Sequence, residues 1–503
     1  MSRPRRSPYW LLIAFAALLA APPWVTTALV VASVALTAAR TIRFLTGRRR
    51  KPERPEDAIV LGTERDGSEV WITERELSAH GLILGASGAG KTTTLLTILT
   101  EQIRRGRPVL VIDMKGSPEL ARRLAEAAVA AGRPFKLWSP DGPNHWNPLQ
   151  YGNATELKDK LISTERFTEP HYQRAAERYV QNVLQVLEQA HPDRAPTLEE
   201  VVGLMDPYRL PTALRGLPRP FTDRVQDYLA GLTPDQLSAI RGLQTRLAIV
   251  TESHTGPYLS PPAGATPVAG GEPVAGGELV DVREALAGRD VVLFSLNAST
   301  YGQLAVQLGT LAVEDVICAT GHRLAERAEG RQQELGIVAI DESSVLGDHL
   351  VALFARGREG GIGALAATQE MADFDRTARG LRDQVLGNTA VKLAHRQEVP
   401  ASAQVIAQMA GTEKAWEETE QFGGSRLTGY PSNRGTRREV EQFVVHPNEI
   451  KSLPTGDAVL ISRLRGGRAR TVRVNPPPRP SGSVKPSPQR RSSPPRADGP
   501  ELG

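Results

Sequence analysis

This chain is nearly devoid of cysteine. Among its 503 residues the only one is Cys318, so neither a disulfide framework nor a Cys/His metal pattern can be written, and the bulk of the protein is expected to face a reducing cytoplasm. Cys318 lies in the helical-looking apolar run Leu311 to Cys318, where a lone thiol reads as a small buried hydrophobe. An excess of one charge is also lacking: the net charge is +5, modest for this length and concentrated in the tails, so overall charge is a weak argument for a nucleic-acid partner. From Asn475 to Gly503 large apolar residues almost vanish, and this Pro/Ser/Arg stretch is expected to be a disordered tail.

Charge of either sign is absent from Trp10 to Ala39. The flanks are cationic, with Arg3, Arg5 and Arg6 before and Arg40, Arg43, Arg48, Arg49, Arg50 and Lys51 after. By the positive-inside rule both ends stay on the cytoplasmic side, which requires an even number of crossings. The expectation is a helical hairpin with spans near 9–21 and 24–45 turning at Pro22-Pro23. That makes the chain a multi-pass protein of the inner (cytoplasmic) membrane with its bulk in the cytoplasm. The first arm is shorter than the ~20 residues of a full span, so a single kinked span and a signal peptide cleaved near Ala20-Ala21 are the alternatives.

What is present begins with Gly85-Ala86-Ser87-Gly88-Ala89-Gly90-Lys91-Thr92-Thr93, between the apolar run Leu82-Ile83-Leu84 and a helical run from Thr94. This is a P-loop in its required strand–loop–helix context. The glycines let backbone N–H groups curl around a phosphate chain, Lys91 reaches the β- and γ-phosphates, and the Thr92 hydroxyl ligates Mg²⁺. ATP and Mg²⁺ are the expected ligands. Strands are expected at 58–62, 69–73 and 108–113, with a helix over 118–131, a β-α-β-α order that opens an α/β core. Strand signals are then missing between about 152 and 278. Helices are expected there over 170–190, from the Thr197-x-x-Glu200 capping box, and over 223–232 and 234–251. A Pro-Val-Ala-Gly-Gly-Glu repeat within 266–278 reads as a surface loop. Strand signals return at 291–296, 335–340, 362–367 and 458–462, with a helix over 304–327 between the first two.

Ile337-Val338-Ala339-Ile340-Asp341-Glu342 is an apolar strand ending in two carboxylates, the Walker B pattern. Asp341 is placed in the Mg²⁺ shell and Glu342 on the attacking water. Gly357-Arg358-Glu359-Gly360-Gly361 presents a guanidinium on a Gly-flanked turn, which suits a γ-phosphate contact made across a subunit boundary; Arg356 competes for that role. Gln369 at a strand end suits a γ-phosphate sensor. Read on residues alone, the last two are equally a solvated basic turn and an ordinary polar strand end.

Together, Gly85–Thr92, Asp113-x-Lys115-Gly116, Trp146-Asn147-Pro148-Leu149, Asp341-Glu342, Gly357-Arg358 and Thr368-Gln369 resemble the type IV coupling proteins of conjugative DNA transfer (TraG/TraD-like), within the HerA/FtsK group of ring ATPases. The resemblance covers roughly 58–470. It implies an α/β fold: a RecA-like P-loop NTPase core, an inserted all-α domain and an N-terminal transmembrane hairpin. The implied organisation is 1–50 anchor, 51–151 first part of the motor, 152–285 inserted helical domain, 286–474 second part of the motor and 475–503 tail. It further implies catalytic roles for Glu342, Arg358 (in trans) and Gln369, a homo-hexamer, and DNA with bound relaxase and type IV secretion channel components as partners. Alternatives are a coupling ATPase for protein effectors, an FtsK-like double-stranded DNA translocase and a membrane scaffold that binds nucleotide without hydrolysis. No role follows for Asp113–Gly116 or Trp146–Leu149.

Overall fold

The computed structural model describes Pro22 and residues 54–477, apart from 166, 168, 263–276, 424–429 and 465–467. By its internal contacts the chain divides into two units, Met1–Glu56 and Asp57–Gly503, and nearly all described residues belong to the second. The expected membrane spans, most of the Gly-rich repeat and the tail from residue 478 lie outside the described residues. Among the described residues one helix, Gln303–Ala328, is long and apolar enough to cross a membrane, and 67% of its apolar window is buried inside the fold, as in a core helix.

Thirteen strands are described: β1 Ile59–Thr63, β2 Glu69–Ile72, β3 Gly81–Leu84, β4 Val109–Asp113, β5 Phe135–Trp138, β6 Val291–Ser295, β7 Gly336–Asp341, β8 Ile362–Thr368, β9 Val391–Ala394, β10 Thr412–Gly423, β11 Tyr430–Phe443, β12 Asp457–Ser462 and β13 Arg470–Val474. Eleven form one mixed sheet in the order β2-β1-β13-β12-β9-β3-β8-β7-β4-β6-β5. The run from β9 to β5 is parallel, and β12, β13, β1 and β2 extend it antiparallel. β10 and β11 make a separate two-stranded ribbon.

The central strands read as continuous apolar runs because both faces are covered. In β4, Val109 and Val111 pack with Leu95, Leu99, Leu120 and Leu124 from the helices Lys91–Arg104 and Pro118–Ala130. Leu110 and Ile112 point the other way, into a core shared with the helix Gln303–Ala328 and the helical segment. The strands absent from the sequence expectation lack this signature: β5 and β9 have four residues each, β9 carries Lys392, β10 and β11 are rich in charge, and β13 has two arginines among its five residues.

Between β5 and β6 the described chain is helical apart from one isolated bridge. Its helices include Pro170–Ala190 and Pro234–Thr251, and Thr197 and Glu200 form the expected capping box. The Trp146–Leu149 motif now has a structural account. Trp146 meets Trp138 and Phe294 edge-on, with centroids 5.3 and 5.0 Å away. Its indole N–H donates to Asp315 Oδ2 at 3.0 Å. Lys160, on the helix Ala154–Ser163, donates to Asp315 Oδ1 at 2.9 Å and to Pro148 O at 2.7 Å. This buried pair pins the helical segment to the core helix. Cys318, on that same core helix, is half-buried rather than fully buried, because it falls off the face that carries Ala312, Val316 and Ala319.

Candidate nucleotide site

The P-loop leaves β3 at the carboxyl end of the parallel strands, where open α/β sheets bind ligands. Gly88 and Gly90 take positive φ, +72° and +121°. At Gly90 a Cβ would also lie 3.2 Å from the His395 ring, and at Gly85 one would lie 2.7 Å from His395 Cβ, so close packing as well as conformation requires glycine there. The helix Lys91–Arg104 opens at Gly90 with no side-chain cap, which leaves its first N–H groups and dipole available to an anion. Ser87 and Gly88 are exposed, Thr92 and Thr93 half-buried, and Gly85, Ala86 and Ala89 buried. Lys91 is 8% exposed and its Nζ donates to Gly85 O at 2.7 Å. Burial holds its amine below the usual lysine range, opposed by the carboxylates of Glu342 and Asp341.

Those carboxylates arrive on β7, two strands from β3 across β8. Asp341 is 3% exposed. Burial first, then the neighbouring Asp113 and Glu342 carboxyls, push its pKa up to about 6. Glu342 follows in left-handed backbone, φ 55°, which swings its side chain out of the sheet. Gln369, just past the end of β8, donates Nε2 to Glu342 Oε1 at 2.9 Å. One amide thus orients the carboxylate expected to act on water.

Two groups that sequence reasoning left without a role belong to this end. Asp113 pairs in register with Asp341 and is fully buried. Its carboxylate accepts from Lys115 N at 2.9 Å and Ser117 N at 2.6 Å, so it shapes the loop that carries exposed Lys115 beside Lys91. His395, at the end of β9, is also fully buried. Its Nδ1 donates to Asp457 O at 2.9 Å, so Nε2 accepts from the Thr94 hydroxyl at 2.8 Å. Ala86 N donates to Arg396 O and Gly456 N to Ala89 O, each at 2.9 Å. The P-loop is therefore braced by the segments that enter and leave the β9–β12 excursion. An acid ending a buried strand was the legible signal for Asp113; nothing local marked His395.

The residues fit Mg²⁺ with a nucleotide better than a free-standing ion. Among the described residues no cluster of three His, Cys, Asp or Glu side chains suits a metal. Thr92 and Asp341 offer only hard oxygen donors, the sparse protein contribution that Mg²⁺ takes when phosphates complete its shell.

Arg358 is not in this constellation. It is exposed at the end of the helix Asp348–Gly357, before β8, whereas Gln369 follows β8. Seven residues of strand separate the two, roughly 20 Å at the usual rise. Within one chain it cannot reach the P-loop. Arg356 is exposed on the same helix end.

Two family models match the chain: the central domain of helicase HerA over residues 59–130 and the TraM recognition site of TraD and TraG over residues 337–455. The type 4 coupling protein DotL of Legionella pneumophila (strain Philadelphia 1) is 26% identical over 129 residues, which is 22% of this chain and 16% of that protein. The match thus spans about a sixth of that relative's length. Among solved structures, the unbound bacterial conjugative coupling protein TrwB superposes with a TM-score of 0.59 at 15% identity, over 84% of this chain and 91% of that one. TrwB in complex with ADP and Mg²⁺ gives 0.59 at 14% identity, over 86% and 97%, and TrwB with an ATP analogue gives 0.59 at 13% identity, over 86% and 92%. The fold is that of TrwB, an α/β architecture with a large mixed sheet. Sequence models and fold agree, and together they support a type IV coupling protein with a HerA-like core.

Proposed function

We propose that this chain is a membrane-anchored, Mg²⁺-dependent ATPase that assembles as a homo-hexameric ring and drives DNA, with its bound relaxase, into a type IV secretion channel. The observation that carries the reading is the gathering of Lys91, Asp341, Glu342 and Gln369 around one P-loop in a coupling-protein fold. Residues 85–93 cradle the phosphates. Thr92 and Asp341 would hold the Mg²⁺, which would supply charge neutralisation for the triphosphate. Glu342, oriented by Gln369, aligns the water and takes up its proton. Arg358 serves the site of a neighbouring subunit, so hydrolysis depends on assembly. The uncharged stretch 10–39 anchors the ring in the inner membrane as a hairpin, with the motor on the cytoplasmic side. DNA is gripped through its phosphates, without base readout and in a salt-sensitive way.

The test is the Mg²⁺-ATPase rate of the full-length chain in detergent, measured against protein concentration with single-stranded DNA, double-stranded DNA or neither. Specific activity should rise with concentration and with DNA. A rate independent of both removes the ring and the DNA cargo, and stimulation by a secreted protein alone replaces DNA with a protein substrate.

A further inference from the structure

The turn that carries Arg358 is held on two sides by buried side chains with no other evident task. On one side stands His80 at the foot of β3, 2% exposed and in left-handed backbone, φ 63°. Ala364 N–H donates to its Nδ1 at 3.0 Å, so the ring proton sits on Nε2, which donates to Phe354 O at 2.8 Å. Phe354 belongs to the last turn of the helix Asp348–Gly357, whose carbonyls have no partner within the helix. The imidazole also lies against the Phe354 ring, centroids 5.1 Å apart. A Cβ on Gly357 would sit 3.6 Å from the ring.

On the other side is Arg323 of the helix Gln303–Ala328, 6% exposed. Its Nε donates to Gly360 O at 3.1 Å and its Nη2 to Glu334 O at 2.7 Å, with a further bond from Nη1 to Leu286 O. The turn closes on itself through Gly361, φ +71°, whose N–H donates to Arg358 O at 3.3 Å. Between these two supports Arg358 is exposed. A guanidinium on a loose turn gives up backbone entropy when it docks, and a turn fixed beforehand has already lost it. Burial keeps His80 neutral, with its pKa lowered to about 4, so the imidazole adds no positive charge beside Arg358.

We propose that His80 and Arg323 are positioning residues for Arg358, fixing the Gly357–Gly361 turn in the form in which its arginine serves a neighbouring copy's site. The inference rests on the shared-site reading given above. One observation makes it more than a packing account: β3 carries His80 at its foot and the P-loop at its head, so each copy's strand joins its own phosphate site to the support of the arginine it lends.

The test is subunit mixing with the full-length chain in detergent. Arg358→Ala, His80→Asn and Arg323→Lys are assayed alone and after equimolar mixing with Glu342→Gln, whose own site is inactive but whose Arg358 turn is intact. Asparagine tolerates the left-handed backbone at position 80, and Arg323→Lys keeps the charge if the first variant melts early. Arg358→Ala should lose ~10³-fold or more in kcat, and the other two ~10- to 100-fold, with KM and affinity for a non-hydrolysable ATP analogue unchanged. Mixing should restore at least ~10-fold to all three. Rescue of Arg358→Ala alone overturns the positioning role and leaves the shared site standing. Rescue of none overturns the shared site itself.

Discussion

The two ends of the parallel strands are built on opposite electrostatic plans. At the carboxyl ends, Lys91, Asp113, Asp341 and Glu342 crowd together; burial pushes Lys91, Asp113 and Asp341 away from their ordinary titration ranges, and at Asp341 the neighbouring carboxyls add to it. At the amino ends exposed Arg358 stands on a turn held by a neutral imidazole and a guanidinium bonded to carbonyls. The crowded end stores unfavourable charge that bound phosphate and Mg²⁺ would relieve. The sparse end stores shape. With roughly 20 Å of β8 between them, neither end of one chain can complete the other.

The contrast can be broken most severely at Glu342. Glu342→Gln should cut kcat by ~10²- to 10⁴-fold while leaving nucleotide affinity within a few-fold, as read by single-turnover hydrolysis and by equilibrium binding. Equal loss of binding makes Glu342 a structural member of the crowded end. A second test removes the tie that lies apart from both ends. Asp315→Ala strands buried Lys160 and the Trp146 indole, and should lower unfolding free energy by ~3–5 kcal/mol in denaturant titrations. If it instead changes kcat with stability intact, the helical segment communicates with the site.

Acid titration separates the two plans by sign. Asp341 has a folded pKa raised to about 6, so between its unfolded value and pH 6 the folded state holds the extra proton. Its contribution therefore falls as pH rises through that window, by up to ~3 kcal/mol in the apo protein. His80 is lowered to about 4, so between pH 4 and its unfolded value the unfolded state holds the extra proton. Its contribution rises with pH, by up to ~3 kcal/mol. Asp341→Asn should thus steepen the rise of stability with pH between about 4 and 6, and His80→Asn should flatten it. Slopes that move together would erase the contrast. Mildest of all, Thr94→Val removes the hydroxyl that serves His395 Nε2 and should cost ~1–3 kcal/mol, seen as a lower Tm with little change in kcat.

Much of the crowded end was legible before any coordinates. The P-loop, Asp341, Glu342 and Gln369 each sit where a buried apolar strand stops, and a strand covered on both faces announces itself as an unbroken apolar run. The long helices were equally plain: Pro170–Ala190 and Pro234–Thr251 carry an apolar stripe and a proline at the start. Four-residue β5 and β9 escaped because they are too short to carry a period, and β10, β11 and β13 because charged residues break up any apolar run in their sequences. His395, His80 and Arg323 escaped for another reason. Their partners are remote: Thr94 Oγ1 is 301 positions from His395 and Ala364 N is 284 from His80, and no local pattern encodes such a pair.

The sequence by itself determined the chemistry at the head of β3, because phosphate binding needs glycines, a lysine and a hydroxyl in one short stretch and local backbone geometry does the rest. Only the tertiary structure decided which acids stand beside that loop, that the Trp146–Leu149 motif is an anchor rather than a catalyst, and that Arg358 faces away from its own chain's nucleotide site. Those are matters of strand order and side-chain packing between distant segments. The sheet fixes them only once β9, β3, β8, β7 and β4 lie side by side.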